Sequence, residues 1–289
     1  PLPFTGLGDK GLDLLLKDGV NPALILKSET VYQRLAGRGV PSFAFIREAF
    51  KQGVYTHLTH AGSTLVPCGD LTDLMGRLRS AVETGPSPAY LYAYWDGVDS
   101  AAHADGPASE GCAAAIARFC DQFQREFLDR LDPESAKDVV LMITADHGHI
   151  EVEPSDIVFL DRFPNLTSRF AKSPAGKPIT PWGSPRVVFL AVEEKELDAA
   201  QAALQKKFGA QAWILKTAEA TRDGLFGPGE SHPEWRHRAG NLVLLPRENG
   251  TFWYPYADGA IGTLKGLHGG LTPDEMLIPL AAADLPALL

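Results

Sequence analysis

The 289-residue chain has three cysteines, Cys68, Cys112 and Cys120, and no two of them have Cys-x-x-Cys spacing. This scarcity argues against a disulfide framework and a thiolate metal site, and it is typical of a reducing, cytoplasmic compartment. No run of about 18 apolar residues is present, so we expect no membrane span. The sequence does not open with a basic segment followed by an apolar one, so we expect no secretory signal peptide.

Positive charge is also scarce, because 27 Lys and Arg residues against 36 Asp and Glu residues give a formal net charge of −9. A surface of this sign does not coat nucleic acid. A small phosphate-containing substrate is still compatible with it, since bound metal ions can supply positive charge locally. The apolar fraction of 45% and the charged fraction of 22% are typical of a soluble globular protein with a large core.

Two apolar segments and the helical pattern between them predict a β-α-β unit over residues 89–146. The strands are expected at Ala89–Trp95 and Val139–Ile143. With a right-handed crossover, such strands are expected to be parallel and near neighbours, and an unbroken apolar run is typical of a strand covered on both faces. The loops at the two strand ends, 96–103 and 146–149, should then lie at one sheet edge, where α/β proteins bind ligands.

The order of the predicted elements indicates an α/β fold with a mostly parallel central sheet and a smaller inserted α+β lobe. Residues 153–184 are rich in proline, and the β-α-β pattern that follows them is assigned to this lobe. We therefore expect a core made of residues 1–152 and 242–289, and a cap lobe made of residues 153–241.

Five side chains at the predicted strand ends have the chemistry of metal ligands. Asp99 and His103 are four residues apart, so a helical turn would put both on one face. By itself this pair is better explained as a helix cap and a surface histidine. Asp146 and His147 end the second strand, where successive side chains diverge and can serve different ions. His268 has glycines on both sides, which allow close approach of the backbone to a site.

These two carboxylates and three imidazoles, with no sulfur, suit zinc, manganese or iron. Five ligands are too many for one ion and too few for two closed sites. Two ions about 3.5–4 Å apart, each with open coordination, are typical of enzymes that catalyse displacement at phosphorus. The ligand set therefore predicts two divalent cations and a small phosphate-ester substrate.

The ligand motifs, taken in order, resemble the alkaline phosphatase superfamily, and most closely its type I phosphodiesterase/nucleotide pyrophosphatase branch. The similarity runs from about residue 30 to residue 281 and rests on the segments YWDGVDSAAHADGP, MITADHGH and LKGLHGGLTPDEMLIPL. The segments GLFGPG and Arg238-Ala239-Gly240 also resemble the cap region of that branch. The resemblance implies a three-layer sandwich around the central sheet and a hydrolase of phosphodiester or nucleotide pyrophosphate bonds.

The same resemblance implies two zinc ions, with manganese or iron as alternatives. One ion would be held by Asp99, His103 and His268, and the other by Asp146 and His147. A non-catalytic metal-binding module of this fold, or a relative of the phosphoglycerate mutases or phosphonate hydrolases, remains an alternative.

The departure from the family concerns the nucleophile. In this superfamily a strand near the N-terminus ends in a further metal-binding Asp, and a later Thr or Ser heads a helix and attacks phosphorus. No such pattern precedes Tyr32, and Thr5 has no strand before it and a glycine after it. We therefore expect the nucleophile upstream of this chain. From the chain as given we expect weak metal binding at the Asp146/His147 site and little hydrolysis.

Other polar residues have weaker predicted roles. His149 is expected to contact substrate or a metal ligand. His57 and His60 are expected near a short strand, with surface or structural roles, and the Arg236–Arg238 cluster is expected to be a solvated face. Thr272–Glu275 has the pattern of a helix-starting capping box, which is a structural feature.

Overall fold

A computed structural model describes residues 13–255 and 264–289 of the chain, so Thr5 lies outside the described residues. The chain packs as two compact units. The first contains residues up to Ser100 together with Ala113–Ile143 and Ala281–Leu289. The second contains Ala101–Cys112 and Thr144–Leu280.

Strands and helices alternate along both units, as expected of an α/β protein. The strands are β1 (Ser42–Arg47), β2 (Thr64–Cys68), β3 (Tyr90–Ala93), β4 (Val140–Thr144), β5 (Ile150–Glu151), β6 (Ile157–Phe159), β7 (Trp182–Ser184), β8 (Val187–Leu190), β9 (Ala212–Lys216), β10 (Leu242–Pro246), β11 (Thr251–Trp253), β12 (Gly266–Leu267) and β13 (Leu280–Asp284).

The helices are mostly short. They are α1 (Val31–Ala36), α2 (Val54–Thr59), α3 (Leu71–Thr84), α4 (Gly97–Asp105), α5 (Glu110–Gln122), α6 (Pro164–Thr167), α7 (Leu197–Phe208), α8 (Thr217–Arg222), α9 (Trp235–Ala239) and α10 (Pro273–Met276). A π-helical stretch, Phe123–Leu128, continues α5. Single 3-10 turns occur at Leu14–Leu16, Pro22–Leu24, Glu48–Phe50, Pro154–Asp156, Leu160–Arg162, Glu194–Glu196 and Leu285–Leu288.

The first unit is built on a parallel sheet in the order β2-β1-β3. Its central strand, β1, is mostly buried, as expected of a strand with a neighbour on each side. Helix α3 begins at Leu71 after the N-cap Asp70, whose carboxylate accepts from the backbone N–H of Asp73. The helix packs Leu71 and Leu74 into the core. The same core receives Phe127 from the π-helical stretch. The predicted α/β class with a parallel sheet is therefore confirmed.

Strand β4 differs from its prediction. It pairs with β13, while β3 pairs with β1, so among the described residues β3 and β4 are not hydrogen-bonded partners. The expectation that they are parallel near neighbours stays a prediction. The expected burial on both faces is wrong, because Val140 and Met142 are 64% and 62% exposed. Only the alternate side chains, such as Leu141, pack against the core. An apolar run indicates that a strand can be buried, but its neighbours decide which face is covered.

The second unit contains an antiparallel four-stranded sheet in the order β7-β8-β10-β9. Its core includes Leu190, Leu204 of α7, Ile214 and Leu244, all buried. Strand β10 is buried throughout and pairs with both β8 and β9. The sequence placed β10 in the core segment 242–289. That division into core and cap lobe stays a prediction.

Two short ladders complete the second unit. Strand β6 pairs in parallel with β11, and β5 pairs antiparallel with β12. The second ladder matters for the site, because β5 follows the Asp146–His149 loop directly and β12 ends just before His268. The pairing of Gly266 with Glu151 and of Leu267 with Ile150 therefore brings these two segments together.

Cys68, Cys112 and Cys120 are all free thiols, which agrees with the absence of a disulfide framework. Burial, with the Asp73 carboxylate nearby, raises the pKa of the Cys68 thiol to about 11. Among the described residues, no helix combines the length and apolar character needed to cross a bilayer.

Candidate metal centre

Helix α4 carries Asp99 in its first turn and His103 in its last. The conditional expectation of a helical turn at this pair is met. His103 Nδ1 lies 2.7 Å from the carbonyl oxygen of Gly266. Because a carbonyl oxygen only accepts, this bond assigns the ring proton to Nδ1 and the lone pair to Nε2. A hydrogen bond of this kind orients a metal-binding imidazole.

Four histidines of the second unit form an imidazole cluster, which consists of His103, His147, His149 and His268. The rings of His147 and His268 are stacked, with centroids 3.5 Å apart and planes 5° from parallel. His149 lies 4.8 Å from His103, 5.2 Å from His147 and 5.1 Å from His268. The structure therefore brings together the three imidazoles that the sequence predicted as ligands, with His149 beside them.

The cluster fits divalent metal ions. With Zn–N bonds of about 2.0–2.1 Å, two imidazoles on one tetrahedral ion have ring centroids about 5 Å apart. The 5.2 Å separation of His103 and His268 matches this value. The 3.5 Å stack of His147 on His268 is too close, so these two rings fit different ions. A donor set of imidazole nitrogen without sulfur suits zinc, manganese or iron.

Asp146 is an exposed residue beside His147. Its side chain is 68% exposed, and its carboxylate lies 3.6 Å from Nε2 of the adjacent His147. Among the described residues, it does not belong to a group of three whose ligand atoms converge, whereas the ligand atoms of His147 and His149 lie within 4.8 Å of each other. The assignment of Asp146 and His147 to one ion, and of His149 to the substrate, stays a prediction.

Glycines allow the ligand-bearing segments to touch through their backbones. A Cβ at Gly266 would collide with the carbonyl oxygen of Ala102, next to His103. A Cβ at Gly148 would collide with the carbonyl oxygen of Asp274 at the start of α10. Close backbone approach is the role that the sequence predicted for the glycines around His268, and the structure shows it for Gly266.

A buried carboxylate lies behind the cluster. Glu275 and Thr272 form the predicted capping box of α10, which is confirmed. Glu275 also forms a two-point ion pair with Arg186, a residue that sequence reasoning missed. Its available signal was a charged side chain directly before the apolar strand β8. Burial alone would raise the pKa of Glu275, but hydrogen bonds from Arg186, Thr272 and Gly270 outweigh it and hold that pKa below its usual value.

Comparison with known proteins identifies the family. Residues 44–271 match the model of the type I phosphodiesterase / nucleotide pyrophosphatase family. The chain belongs to this family. The predicted resemblance is thus confirmed, and the candidate ligands from Asp99 to His268 lie within the matched residues of this phosphodiesterase family. A comparison with curated protein sequences found no significant match.

Solved structures of longer proteins share the fold. Human ectonucleotide pyrophosphatase / phosphodiesterase 5 has a TM-score of 0.57 and 15% identity, over 87% of this chain and 62% of that one. The murine protein, as an inactive variant in complex with AMP, gives 0.55 and 16% over 86% and 62%. Phosphonoacetate hydrolase from Sinorhizobium meliloti, in complex with phosphonoformate, gives 0.53 and 17% over 87% and 67%. The chain thus spans about three fifths of the length of the phosphodiesterases it matches.

The remaining histidines and cations in this phosphodiesterase-family chain lie outside the cluster. His57 and His60 belong to helix α2 and its C-cap, and strand β2 begins four residues after His60, at Thr64. His60 stacks on Tyr32 at 5.6 Å, and burial lowers its pKa. These contacts support the structural role predicted for His60. The Arg236–Arg238 residues are exposed on α9, in agreement with the predicted solvated face.

Proposed function

We propose that the chain is the metal-binding part of a phosphohydrolase that cleaves phosphodiester or nucleotide pyrophosphate bonds. The observation that carries this proposal is the imidazole cluster in a chain of the type I phosphodiesterase / nucleotide pyrophosphatase family. Small ligands with a phosphorus centre in the neighbouring structures, AMP and phosphonoformate, support a substrate of similar size. The proposed partner is a small phosphate ester or nucleotide in the cytoplasm.

Two divalent cations, with zinc preferred, are proposed for this site. Asp99, His103 and His268 would hold one, and His147 with Asp146 would hold the other. Bound divalent cations would supply Lewis-acid polarisation of a phosphoryl oxygen. Two hydrogen bonds to backbone carbonyl oxygens orient the imidazoles. Nδ1 of His103 donates to the carbonyl oxygen of Gly266. Nδ1 of His147 donates to the carbonyl oxygen of Gly148 at 3.0 Å.

The nucleophile is proposed to be a Thr or Ser upstream of this chain. Activity should therefore be measured on the full-length protein, loaded with Zn²⁺ or Mn²⁺, with bis-(p-nitrophenyl) phosphate and p-nitrophenyl phosphate as substrates. His268→Ala and Asp146→Asn are each expected to lower kcat/KM by at least about 10- to 100-fold. His57→Ala, which changes an exposed histidine outside the cluster, is the matched control. Equal rates for wild type and both site variants would refute the proposal.

A second candidate is a phosphonate hydrolase, favoured by the structural similarity to phosphonoacetate hydrolase. Release of phosphate from phosphonoacetate, without hydrolysis of either p-nitrophenyl substrate, would favour the phosphonate hydrolase over the phosphodiesterase. A non-catalytic metal-binding module would bind Zn²⁺ and turn over none of the three compounds.

A further inference from the structure

Arg186 and Glu275 form an ion pair in the interior of the second unit. Arg186 Nε donates to Glu275 Oε1 at 2.8 Å, and Arg186 Nη2 donates to Glu275 Oε2 at 2.7 Å. The two side chains are 0% and 1% exposed. Desolvation makes such a pair weak evidence for stability, since an apolar pair of similar volume often serves equally well. Stability alone therefore does not explain why a buried ion pair occupies this position, but the other contacts of the two residues do.

The carboxylate of Glu275 also holds the loop that follows His268. Its Oε1 accepts from the backbone N–H of Gly270 at 2.8 Å, and its Oε2 accepts from the Thr272 hydroxyl at 2.7 Å. Gly270 is only two residues from His268, so this bond fixes the backbone that leaves the imidazole. Both oxygens are occupied by donors, which makes Glu275 a support for the loop and not a metal ligand.

The main chain of Glu275 holds the other ligand-bearing loop. Its carbonyl oxygen accepts from the backbone N–H of Gly148 at 2.8 Å, directly after His147. One residue thus contacts the segments that carry the two stacked imidazoles, one through its side chain and one through its backbone. Arg186 extends the network, since its Nη1 donates to the carbonyl oxygen of Gly250.

We propose that Glu275, with Arg186 as its counter-ion, is a positioning residue that sets the separation of the His147 and His268 imidazoles for two metal ions. This inference rests on the proposed function, because it assumes that the cluster binds metal. Groups that orient metal ligands typically contribute about 10- to 100-fold to metal affinity. A purely structural pair would affect folding stability without a specific effect on metal binding.

The test uses the full-length protein and three variants. Glu275→Gln keeps the side-chain shape but removes the charge. The double variant Arg186→Met/Glu275→Leu removes both charges together, which can leave stability near that of wild type. Gly270→Ala keeps both charges, and its Cβ would lie 2.7 Å from Glu275 Oε2 and 2.8 Å from Arg186 Nη2, which displaces the loop. Asp198→Asn, which breaks the 2.6 Å Lys216–Asp198 ion pair of exposed Asp198, is the control.

Three measurements separate positioning from folding. They are the Zn²⁺ dissociation constant by competition with a chromophoric chelator, the visible absorption spectrum of the Co²⁺ form, and the melting temperature in EDTA. We expect the double variant and Gly270→Ala to bind Zn²⁺ about 10- to 100-fold more weakly and to have altered Co²⁺ spectra. Asp198→Asn should match wild type in all three measurements.

The outcomes are distinguishable from failure of the proposed function. Variants that melt at lower temperature but bind Zn²⁺ and Co²⁺ as wild type does would overturn the positioning role alone. A wild-type protein that binds neither ion would remove the proposed function, and the positioning role with it. Weaker binding by a variant that melts as wild type does in EDTA would establish the positioning role.

Discussion

Glu275 stays ionised in a site without solvent because several hydrogen-bond donors face its two oxygens. Its pKa is held below the usual value of 4.5 by these donors, against the opposing effect of burial. The unfolded chain therefore takes up this proton at a higher pH than the folded chain does. The carboxylate contributes stability that is fully present above about pH 4.5 and is lost as the pH falls through the lowered pKa.

This linkage gives a pH prediction for the metal-free protein. The free energy of unfolding of wild type should exceed that of Glu275→Gln at neutral pH, and the difference should shrink as the pH falls below about 4.5. Urea unfolding of both proteins from about pH 7 to about pH 3 measures the difference. Asp132→Asn, at an exposed carboxyl whose pKa is lowered by its Ser135 hydrogen bonds, is a useful comparison. A difference that stays constant across the range would contradict the ionised state of Glu275.

His149 offers a second prediction at the scale of single residues. Its ring lies about as far from the other three as two imidazoles on one ion lie from each other. We expect His149→Ala to weaken Zn²⁺ binding by at least about tenfold, as measured by chelator competition. If the dissociation constant is unchanged and KM rises instead, His149 contacts substrate, as the sequence predicted. His57→Ala again serves as the control.

At the scale of elements, the site depends on close main-chain contacts at two glycines, one between β12 and α4 and one between the loop before β5 and α10. A Cβ at Gly266 would collide with the Ala102 carbonyl oxygen, and one at Gly148 with that of Asp274. In both cases the obstacle is a main-chain atom, which has less freedom to move than the end of a long side chain. Glycine at these two positions therefore permits the close backbone contacts that bring the segments of the cluster together.

Alanine at either position should lower the free energy of unfolding by about 1–3 kcal/mol, the usual effect of overpacking. Gly76→Ala is a matched control that should change the free energy of unfolding in the opposite direction. Gly76 lies inside helix α3 with nothing within 4 Å of its Cβ position, so alanine there should stabilise by about 0.5–1 kcal/mol. Denaturant unfolding of the three variants tests the set. Equal effects of Gly148→Ala and Gly76→Ala would show that the close contact between Gly148 and the Asp274 carbonyl does not exist in solution.

At the scale of the whole molecule, metal binding should increase the free energy of unfolding. The imidazole cluster and four of the five tryptophans, Trp182, Trp213, Trp235 and Trp253, belong to the second unit. A Trp95→Phe variant therefore makes fluorescence a probe of that unit. Zn²⁺ at about 100 times its dissociation constant should raise the free energy of unfolding by about 2.7 kcal/mol. An unchanged fluorescence transition with Zn²⁺ present would argue against a folded-state metal site.

The ribbon of β4 and β13 gives a prediction about association. Val140, Met142 and Leu280 are 64%, 62% and 68% exposed on these strands, and exposed apolar strands tend to pair with other chains. Met142→Lys should therefore reduce concentration-dependent association in sedimentation velocity. Val31→Lys, at an exposed apolar residue of helix α1, should have little effect. Identical association of both variants and wild type would exclude the ribbon as the contact surface.

Local chemistry was enough to predict much of this protein from its sequence. The capping box of Thr272 and Glu275 involves residues three apart, and the α/β class follows from apolar periodicity within short segments. The convergence of His103, His147 and His268 was predictable because strand ends of an α/β fold gather at one edge, and because the motifs around them are specific. These features depend on residue type and short spacing, both of which a sequence displays.

Tertiary structure alone decided the rest. Arg186 pairs with Glu275, which is 89 residues away in the sequence, and no local sequence pattern at Arg186 predicts this partner. Strand β4 was predicted to be buried on both faces, but it pairs with β13, and Val140 and Met142 on one face are exposed. The stacking of His147 on His268 depends on the β5–β12 register. Each of these outcomes depends on which segment, distant in sequence, packs against the residue or strand concerned. The periodicity and residue spacing within one segment do not specify that packing partner.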